Sequence, residues 1–339
     1  MTAPAPHPGT ALAAAMRNEG PYLLEWLAYH RVIGFEHVII VTNDCTDGSD
    51  RLLDALAARG LVTHLSQTVP EGAAPQEGAM RLVFAHLAAT EGAEWLCHID
   101  SDEFLNIRAG QGRLDDLFAA AGPADVIALP WFFFGTSGHR ARTLPILPQF
   151  TACAASLPAV QTKFKSLFRF AKFTHAHDHR PTGPRSNEIC VKSAAGERLV
   201  SNLHGSVKRA KYQPFDKAVA PEVAVLNHYA TRAEEDFLMK NLRGDGQGPL
   251  KTKYHLGSKW FQIANQNAAQ DRSILRHWPA TEALMATWRS DPDILALENA
   301  CLAADTAART AALTPEARAG WTRPQWAGTT GPTDKECAP

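Results

Sequence analysis

The chain has 339 residues, 45% of them hydrophobic and 20% charged, and its formal charge is −1. This composition is typical of a globular protein with one large domain or two smaller ones, and it excludes an acidic disordered scaffold. The balance of 34 basic against 35 acidic residues argues against nucleic-acid binding, which needs an excess of lysine and arginine. No apolar run approaches the roughly 20 residues of a membrane-spanning helix.

Cysteine spacing and the N-terminal segment bear on the cellular compartment. The six cysteines are widely and irregularly spaced and include no CxxC pair, which favours scattered reduced thiols. The first residues lack the basic and apolar regions of a secretory signal. We therefore expect a cytoplasmic protein with no transmembrane segment, and peripheral attachment to a membrane stays open.

The first 130 residues alternate between short apolar runs and segments with helical spacing. The apolar runs predict strands at residues 12–16, 38–41, 61–65 and 95–99. The helical spacing predicts helices at residues 22–33, 52–56 and 76–90. Gly34 and Gly60 are expected to end the first two helices. Apolar strands separated by helices predict an α/β fold, with a mostly parallel central sheet covered by helices on both faces.

Polar residues follow three of these strands. They are Arg17, Asn18 and Glu19 after the first, Asn43 and Asp44 after the second, and Asp100 and Asp102 after the fourth. Ligands of parallel sheets bind beyond the carboxyl ends of the strands, so these side chains are expected at one rim. The first two groups also suit a helix start or a turn that binds no ligand, and that alternative stays open.

The pair Asp100 and Asp102 is the sharpest chemical feature. Two carboxylates at positions i and i+2 of extended backbone project to the same side and can together hold a hard divalent cation, which in turn can hold a diphosphate. His98 shares their phase. The alternative is an acidic turn that merely ends a strand.

Two histidine features are less specific. His175, His177 and His179 would share one side of an extended segment, which is compatible with zinc. No cysteine or acidic partner has zinc-finger spacing, so a surface segment is favoured, and the basic residues at 163–172 just upstream are expected on a solvated face. His228 precedes a helical segment at residues 232–243 and could complete a metal shell if it approaches Asp100 and Asp102.

Three segments together resemble glycosyltransferases of families 2 and 92. They are MRNEGPYLLEWLAYH at residues 16–30, TNDCTDGS at 42–49 and WLCHIDSDEF at 95–104. Looser similarity extends the resemblance to roughly residues 11–280. It implies a GT-A fold at residues 10–290, with a nucleotide-binding and metal-binding half at 10–120 and an acceptor half at 121–290. Residues 1–9 are expected to be a disordered tail, and residues 291–339 a helical segment followed by a loose tail.

The resemblance also implies roles for the polar residues at the strand ends. Asp100 and Asp102 would hold Mn²⁺ or Mg²⁺ on the diphosphate of a nucleotide-sugar donor, expected to be a UDP-hexose. His228 would be a late metal or phosphate ligand. The nucleotide contacts would come from Arg17, Asn18, Glu19, Asn43 and Asp44.

The acceptor would be a glycan or another hydroxyl compound, as in polysaccharide biosynthesis, and the reaction is expected to be inverting. An inverting transfer needs a base to deprotonate the acceptor hydroxyl. The candidates in the second half are Asp178, Glu188 and Asp236, and the sequence does not choose among them.

Other function classes fit the sequence less well. A carbohydrate-binding or nucleotide-sugar-binding protein on a degenerate GT-A fold is the main alternative, and the intact pair Asp100 and Asp102 argues against it. A hydrolase is disfavoured because no Gly-x-Ser-x-Gly segment is present. The absence of a Gly-x-x-x-x-Gly-Lys-Ser/Thr loop disfavours a P-loop nucleotide hydrolase.

Overall fold

The protein is represented by a computed structural model that describes residues 6–90, 92–157, 163–199, 220–243 and 253–322. The strands in these ranges are β1 His7–Met16, β2 Phe35–Thr42, β3 Thr63–Ser66, β4 Trp95–His98, β5 Glu103–Ile107, β6 Val126–Phe133, β7 Ala152–Cys153, β8 Phe164–Arg169, β9 Phe173–Ala176, β10 Pro181–Pro184, β11 Val191–Ser193, β12 Ala224–His228 and β13 Ala269–Gln270. The helices are α1 Leu23–Ile33, α2 Ser49–Ala58, α3 Pro75–Thr90, α4 Leu114–Ala121, α5 Ile146–Gln149, α6 Glu234–Arg243, α7 Lys259–Ala264, α8 Trp278–Arg289, α9 Pro292–Ala312 and α10 Pro315–Thr322.

The central sheet has the strand order β3-β2-β1-β4-β8-β6-β12-β5, and β11 pairs with β6. Strands β8 and β5 run antiparallel to their neighbours, whereas the other pairings are parallel. This confirms the predicted α/β class with a mostly parallel sheet, and it agrees with the GT-A fold that the resemblance implied.

The sheet is buried on both faces, as its continuous apolar strands require. In β1, Leu12, Ala14 and Met16 belong to one hydrophobic cluster. Ala11 and Ala13, which point the other way, belong to a second cluster together with residues of α3. Helices therefore cover each face, and polar residues are left for the ends of the strands.

Helix α1 covers nearly the same residues as the helix predicted at 22–33 from its apolar spacing. Its residues are buried along almost the whole length, because it lies between the sheet and α8. Trp26 Nε1 donates to the Glu103 carbonyl and Tyr29 Oη to the Leu105 carbonyl, which ties α1 to β5. The helix ends at Gly34, whose φ of 117° lies in the left-handed region that glycine adopts without strain.

The structure corrects the expectation of a tail at residues 1–9. β1 begins at His7, which pairs with Phe35 of β2, so residues 7–9 do not belong to a tail. The helical segment expected after residue 290 corresponds to α9 and α10, and α9 packs on α2 and buries Cys301 completely. The end of the expected C-terminal tail, residues 323–339, lies outside the described residues. Within the described ranges, no helix combines the length and apolar content needed to cross a bilayer.

Candidate active site

The loops that follow β1 and β2 meet at one edge of the sheet, because these strands are parallel neighbours. The Asn18 carboxamide bridges them, since its Oδ1 accepts from the Thr46 amide at 2.8 Å and its Nδ2 donates to Thr46 Oγ1 at 3.0 Å. Arg17 Nε donates to the Asp44 carbonyl at 3.2 Å. Asn18 and Asp44 both have positive φ values, of 55° and 47°. The Asn18 side chain therefore joins two loops and does not cap a helix.

A polar cavity of about 290 Å³ opens between the carboxyl ends of β2 and β3. Its lining residues are Thr42, Asn43, Asp44, Cys45, Asp50, Asp54, His64, Ser66 and Gln67. The His64 ring is held by Asp54 Oδ1 at 2.7 Å and Thr42 Oγ1 at 2.8 Å. The predicted residues Asn43 and Asp44 lie in this cavity, whereas sequence reasoning missed His64 because it lies inside a strand with no motif around it.

Glu19 has a different environment from the other predicted nucleotide contacts. It is 2% exposed, and its Oε2 accepts from Arg232 Nη1 at 2.9 Å. Arg232 also stacks on the Tyr22 ring at 3.7 Å and donates from Nη2 to the Ser101 carbonyl at 3.0 Å. Glu19 thus holds the arginine that contacts the Asp100–Asp102 turn, and it does not line the polar cavity.

Each carboxylate of the Asp100–Asp102 turn contacts a lysine. Asp100 Oδ2 lies 3.2 Å from Lys165 Nζ, and its Oδ1 accepts from Gln76 Nε2 at 2.9 Å. Asp102 Oδ2 lies 2.6 Å from Lys240 Nζ, which also donates to the Ala230 carbonyl at 2.7 Å. Each of the two carboxylates that the sequence singled out therefore has a lysine ammonium group as a partner.

Lys165 was expected on a solvated face, and that expectation is wrong. Its side chain is 0% exposed, because β8 lies inside the sheet between β4 and β6. Besides Asp100, its Nζ approaches Asp178 Oδ1 at 2.7 Å and Glu103 Oε2 at 3.7 Å. The chain turns after Asp100, and Glu103 folds back to accept from the Asp100 amide at 2.9 Å. Three carboxyl groups therefore surround one ammonium group.

Burial and charge set the ionisation of this cluster. Burial raises the pKa of the Asp100 carboxyl to about 6, opposed by the Lys165 ammonium and reinforced by the charge of Asp178. Burial also acts to raise the pKa of Asp102, but the Lys240 ammonium and His228 hold it well below its usual range. Asp102 is therefore ionised at neutral pH, and the pKa of Asp100 lies closer to neutrality.

His228 ends β12 and lies next to the turn, as the metal hypothesis required. Its Nε2 is 3.6 Å from Asp102 Oδ1, and its buried Nδ1 makes no hydrogen bond to the described residues. The ring packs against Trp131 at 4.4 Å and Phe133 at 5.2 Å. Burial lowers the pKa of His228, which favours the neutral imidazole that binds metals.

The donor chemistry of this turn suits a hard cation, although the protein does not enclose one by itself. Carboxylate oxygens of Asp100 and Asp102 are ligands that Mg²⁺ and Mn²⁺ prefer, and Mg²⁺ commonly uses one or two carboxylates together with substrate phosphates. Among the described residues, no three Asp, Glu, His or Cys side chains converge into a complete binding group. A bound ion would therefore need further ligands and would share the carboxylates with the two lysines.

The three candidate bases have unlike surroundings. Asp178 belongs to the Lys165 cluster, and its pKa is held below the usual range because Lys165 and His179 outweigh the effect of burial. Glu188 is exposed between β10 and β11. Asp236 is buried at the start of α6, where it accepts from Tyr22 Oη at 2.6 Å and from the Ala233 amide at 3.0 Å. Of the three, Asp178 is the one seen in contact with the lysine that binds Asp100.

The histidine segment does not form a metal group within the described residues. The chain turns after β9, where the His177 amide donates to the Arg180 carbonyl, so the alternation expected of extended backbone is lost. His179 Nδ1 lies 2.9 Å from the Phe164 carbonyl, and its Nε2 lies 3.3 Å from Asp178. The His175 ring packs near Phe84 instead. The His175 and His177 rings lie beside each other with centroids 6.4 Å apart, whereas the His179 ring packs on Trp131 at 4.8 Å.

A sequence model for glycosyltransferase family 92 matches residues 18–254, which is more than half of the chain. The chain belongs to glycosyltransferase family 92. A family 92 protein of Oryza sativa subsp. japonica is 33% identical over 105 residues, covering 30% of this chain and 17% of that protein. One of Ricinus communis is 33% identical over 134 residues, covering 38% of this chain and 23% of that protein. The matched segments thus span less than a quarter of either plant protein.

Solved structures resemble the chain only distantly. Residues 1–349 of S. aureus TarS give a TM-score of 0.30 at 15% identity, over 48% of this chain and 47% of that chain. The galactosyltransferase LgtC, in complex with donor and acceptor sugar analogues, gives a TM-score of 0.23 at 17% identity, over 35% of this chain and 46% of that chain. At such scores no residue can be matched to a counterpart, and the site of this family 92 member stands on its own contacts.

Proposed function

We propose that this family 92 protein transfers a sugar from a nucleotide-sugar donor, expected to be a UDP-hexose, to a hydroxyl group of a glycan or another acceptor. The observation that carries the proposal is the turn at Asp100–Asp102, where two carboxylates stand beside buried lysines and His228. This turn follows β4, and β4 and β2 are both parallel neighbours of β1. The turn and the polar cavity beyond β2 therefore share one edge of the sheet.

The cavity suits the nucleoside end of such a donor. Its side chains offer hydrogen-bond donors and acceptors but no cluster of arginines, so it fits a base and ribose better than a phosphate chain. Asn43 and Asp44 supply contacts directly, whereas Arg17 and Asn18 hold the Asp44–Thr46 loop from the neighbouring strand end. We assign Glu19 a supporting part through Arg232.

The diphosphate would lie at the turn, where Asp100 and Asp102 would hold Mn²⁺ or Mg²⁺ and His228 would be a further ligand of the ion or the phosphate. When bound, the ion supplies positive charge that stabilises the departing nucleoside diphosphate. The two lysines keep the carboxylates oriented, and as fixed ammonium groups they favour negative charge at this place as well.

We favour Asp178 over Glu188 and Asp236 as the base of an inverting transfer. Its carboxylate is 19% exposed, so it combines access to substrate with a place in the Lys165 cluster. The carboxylate of Asp236 is instead paired with Arg309 at 2.7 Å in the interior. Asp178 is itself paired with Lys165 at 2.7 Å and its pKa is held low, so its exposure is what separates it from Asp236. Its use as a base requires that bound substrate weakens the pairing with Lys165.

A second candidate is a carbohydrate-binding or nucleotide-sugar-binding protein without catalysis. It is favoured by one observation, namely that Asp100 and Asp102 each contact a lysine ammonium group, so that each carboxylate has a cationic partner other than a metal ion. The two candidates differ in what happens to a donor after it binds.

The experiment combines titration calorimetry and turnover. The purified chain is titrated with UDP in the presence of Mn²⁺, Mg²⁺ or EDTA, and UDP release is followed with UDP-glucose, UDP-galactose and UDP-N-acetylglucosamine. We expect metal-dependent UDP binding and release from at least one donor, both abolished in Asp102→Ala, with Glu282→Ala on α8 as an exposed control. UDP binding without release from any donor supports the binding protein, and full activity of Asp102→Ala without metal contradicts the metal hypothesis.

A further inference from the structure

A helix beyond the family 92 segment, α9, places a buried arginine against two residues that adjoin the side chains contacting the Asp100–Asp102 turn. Arg309 lies near the end of α9, is 8% exposed, and stands 55 residues beyond the matched range 18–254. Its Nη2 is 2.7 Å from Asp236 Oδ1 and 3.1 Å from Tyr22 Oη. Its Nε is 2.5 Å from Asp305 Oδ2 on the same helix. One guanidinium thus joins α9 to two segments that border the site.

The first connection runs through α6. Asp236 and Lys240 are four residues apart in this helix and therefore lie on the same side, one turn from each other. Asp236 contacts Arg309, and Lys240 contacts Asp102 Oδ2. A shift of α6 along or around its axis would change both ion pairs together. Arg309 therefore helps to fix the position from which Lys240 reaches Asp102.

The second connection runs through Tyr22, which donates to Asp236 and accepts from Arg309. The Tyr22 ring is the surface on which the Arg232 guanidinium stacks, and Arg232 donates to the Ser101 carbonyl. Arg232 has a φ of 47°, a conformation that costs free energy in a residue with a side chain and persists because its surroundings hold it. Tyr22 is part of those surroundings.

Helix α9 also packs closely against the segment after β1. A Cβ placed on Gly20 would lie 2.5 Å from Cys301 Cβ, so only glycine permits this contact. Gly20 follows Glu19, the partner of Arg232. The helix thus supports the site at a second point, eight residues before Arg309 in the chain.

We infer that Arg309 is a positioning residue of the active site, which through Tyr22 and Asp236 holds Arg232 and Lys240 in the places from which they contact Ser101 and Asp102. The expected effect on turnover rests on the proposed function, whereas the expected effect on the structure of the turn does not. Helix α9 is then part of the active site as well as a packing element, although it lies outside the segment that matches the family.

The test compares two arginines that both dock α9. Arg309→Met removes the contacts to Tyr22 and Asp236. Arg289→Met is the matched control, because Arg289 of α8 forms a two-bond pair with Glu298 of α9 at 2.7 Å and has no contact with the turn. Arg309→Lys keeps the charge but cannot bond Asp236 and Asp305 with a planar fork. Tyr22→Phe removes one hydroxyl and serves if Arg309→Met fails to fold.

Two measurements are made on the full chain. In deuterium exchange, we expect Arg309→Met to raise uptake in peptides covering 99–104 and 229–242, and Arg289→Met to leave them unchanged. In donor turnover, we expect Arg309→Met to lower kcat by about 10- to 100-fold, the range that small misplacements of a site produce, with the donor KM within about threefold. Arg309→Lys should lie between Arg309→Met and the unmodified chain.

Equal exchange and equal kcat in Arg309→Met and Arg289→Met would overturn the inference, since Arg309 would then only fasten a helix. If the unmodified chain releases UDP from no donor, the proposed function fails, and the exchange comparison still decides whether Arg309 holds the turn. Arg309→Lys and Tyr22→Phe that both match the unmodified chain in exchange and kcat would also contradict it.

Discussion

Lys240 Nζ lies 2.6 Å from Asp102 Oδ2, and both side chains are buried. The ammonium comes from α6 and the carboxylate from the turn after β4, 138 residues earlier in the chain. The second carboxylate of the turn is therefore held in place by a helix from the other half of the domain. A metal ion that binds Asp102 would therefore bind a carboxylate whose Oδ2 already contacts Lys240.

Removal of the Lys240 ammonium should destabilise the protein as well as the site. In Lys240→Met the Asp102 carboxylate stays buried without its partner, which typically costs about 3–5 kcal/mol. We expect urea unfolding to show a loss of that order, whereas Lys259→Met, an exposed lysine on α7, should change stability by less than about 0.5 kcal/mol. Equal midpoints for the two variants would show that the ion pair does not stabilise the fold.

The buried cluster around Lys165 should behave as a coupled unit. Lys165→Met leaves Asp178 and Asp100 without their shared ammonium, and Asp178→Asn removes one of the charges that the ammonium offsets. We expect the double variant to lose less unfolding free energy than the two single variants lose in total, by about 1–3 kcal/mol, because the two side chains are in direct contact. The cycle is measured by urea unfolding at pH 7, and additivity within about 0.5 kcal/mol would contradict a direct interaction.

Glu25 predicts a pH dependence of stability away from the site. Its carboxyl accepts from the Ile146 and Leu147 amides at 2.7 and 2.8 Å, and burial raises its pKa to about 7. A folded-state pKa above the unfolded value means that the neutral form is favoured by folding. This stabilisation is complete below about pH 4.5, falls as the pH rises to about 7 and is then constant, with a total near 3 kcal/mol.

Glu25→Gln isolates this effect because glutamine stays neutral throughout. The measurement is the unfolding free energy of both proteins at pH 5, 6, 7 and 8. As the pH rises, we expect the unfolding free energy of the unmodified chain to fall relative to that of Glu25→Gln. A difference independent of pH would show that Glu25 does not titrate in this range.

The polar cavity should govern donor affinity more than turnover. Asn43→Ala removes one hydrogen-bonding side chain from the lining, which should weaken UDP binding by about three- to tenfold. Calorimetry gives this Kd, and initial rates should show a higher donor KM with kcat nearly unchanged. Glu282→Ala, an exposed substitution on α8, is the control. A fall in kcat at constant donor KM in Asn43→Ala would contradict a donor site in the cavity.

The first half of the fold was well predicted because its signals are local. The strands ending at Met16, Thr42 and His98 are apolar runs, and α1 and α2 have helical spacing followed by Gly34 and Gly60. Parallel strands place their carboxyl ends together, so the shared edge of Asn18, Asn43 and Asp100 followed from the order of elements alone. Asn18 and Thr46 contact each other across that edge.

The second half gave weaker local signals, and its contacts depend on strand order. β8 inserts antiparallel between β4 and β6, and this position turns Lys165 from an apparent surface residue into a buried one. Asp236 is a second example. Its sequence context does not show that it is buried, and the contact between α6 and α9 pairs its carboxylate with Arg309. The spacing of apolar residues in the sequence does not indicate which strands are neighbours in the sheet.

The sequence by itself determined the α/β class, the family resemblance and the position of Asp100 and Asp102 at the end of a strand, because each depends on residues close together in the chain. Only the tertiary structure decided the partners of those carboxylates, namely Lys165, Lys240 and His228, and the role of Arg309 behind them. These contacts join residues 65 to 287 positions apart. They arise from the packing of the sheet and the helices around it, which local patterns do not encode.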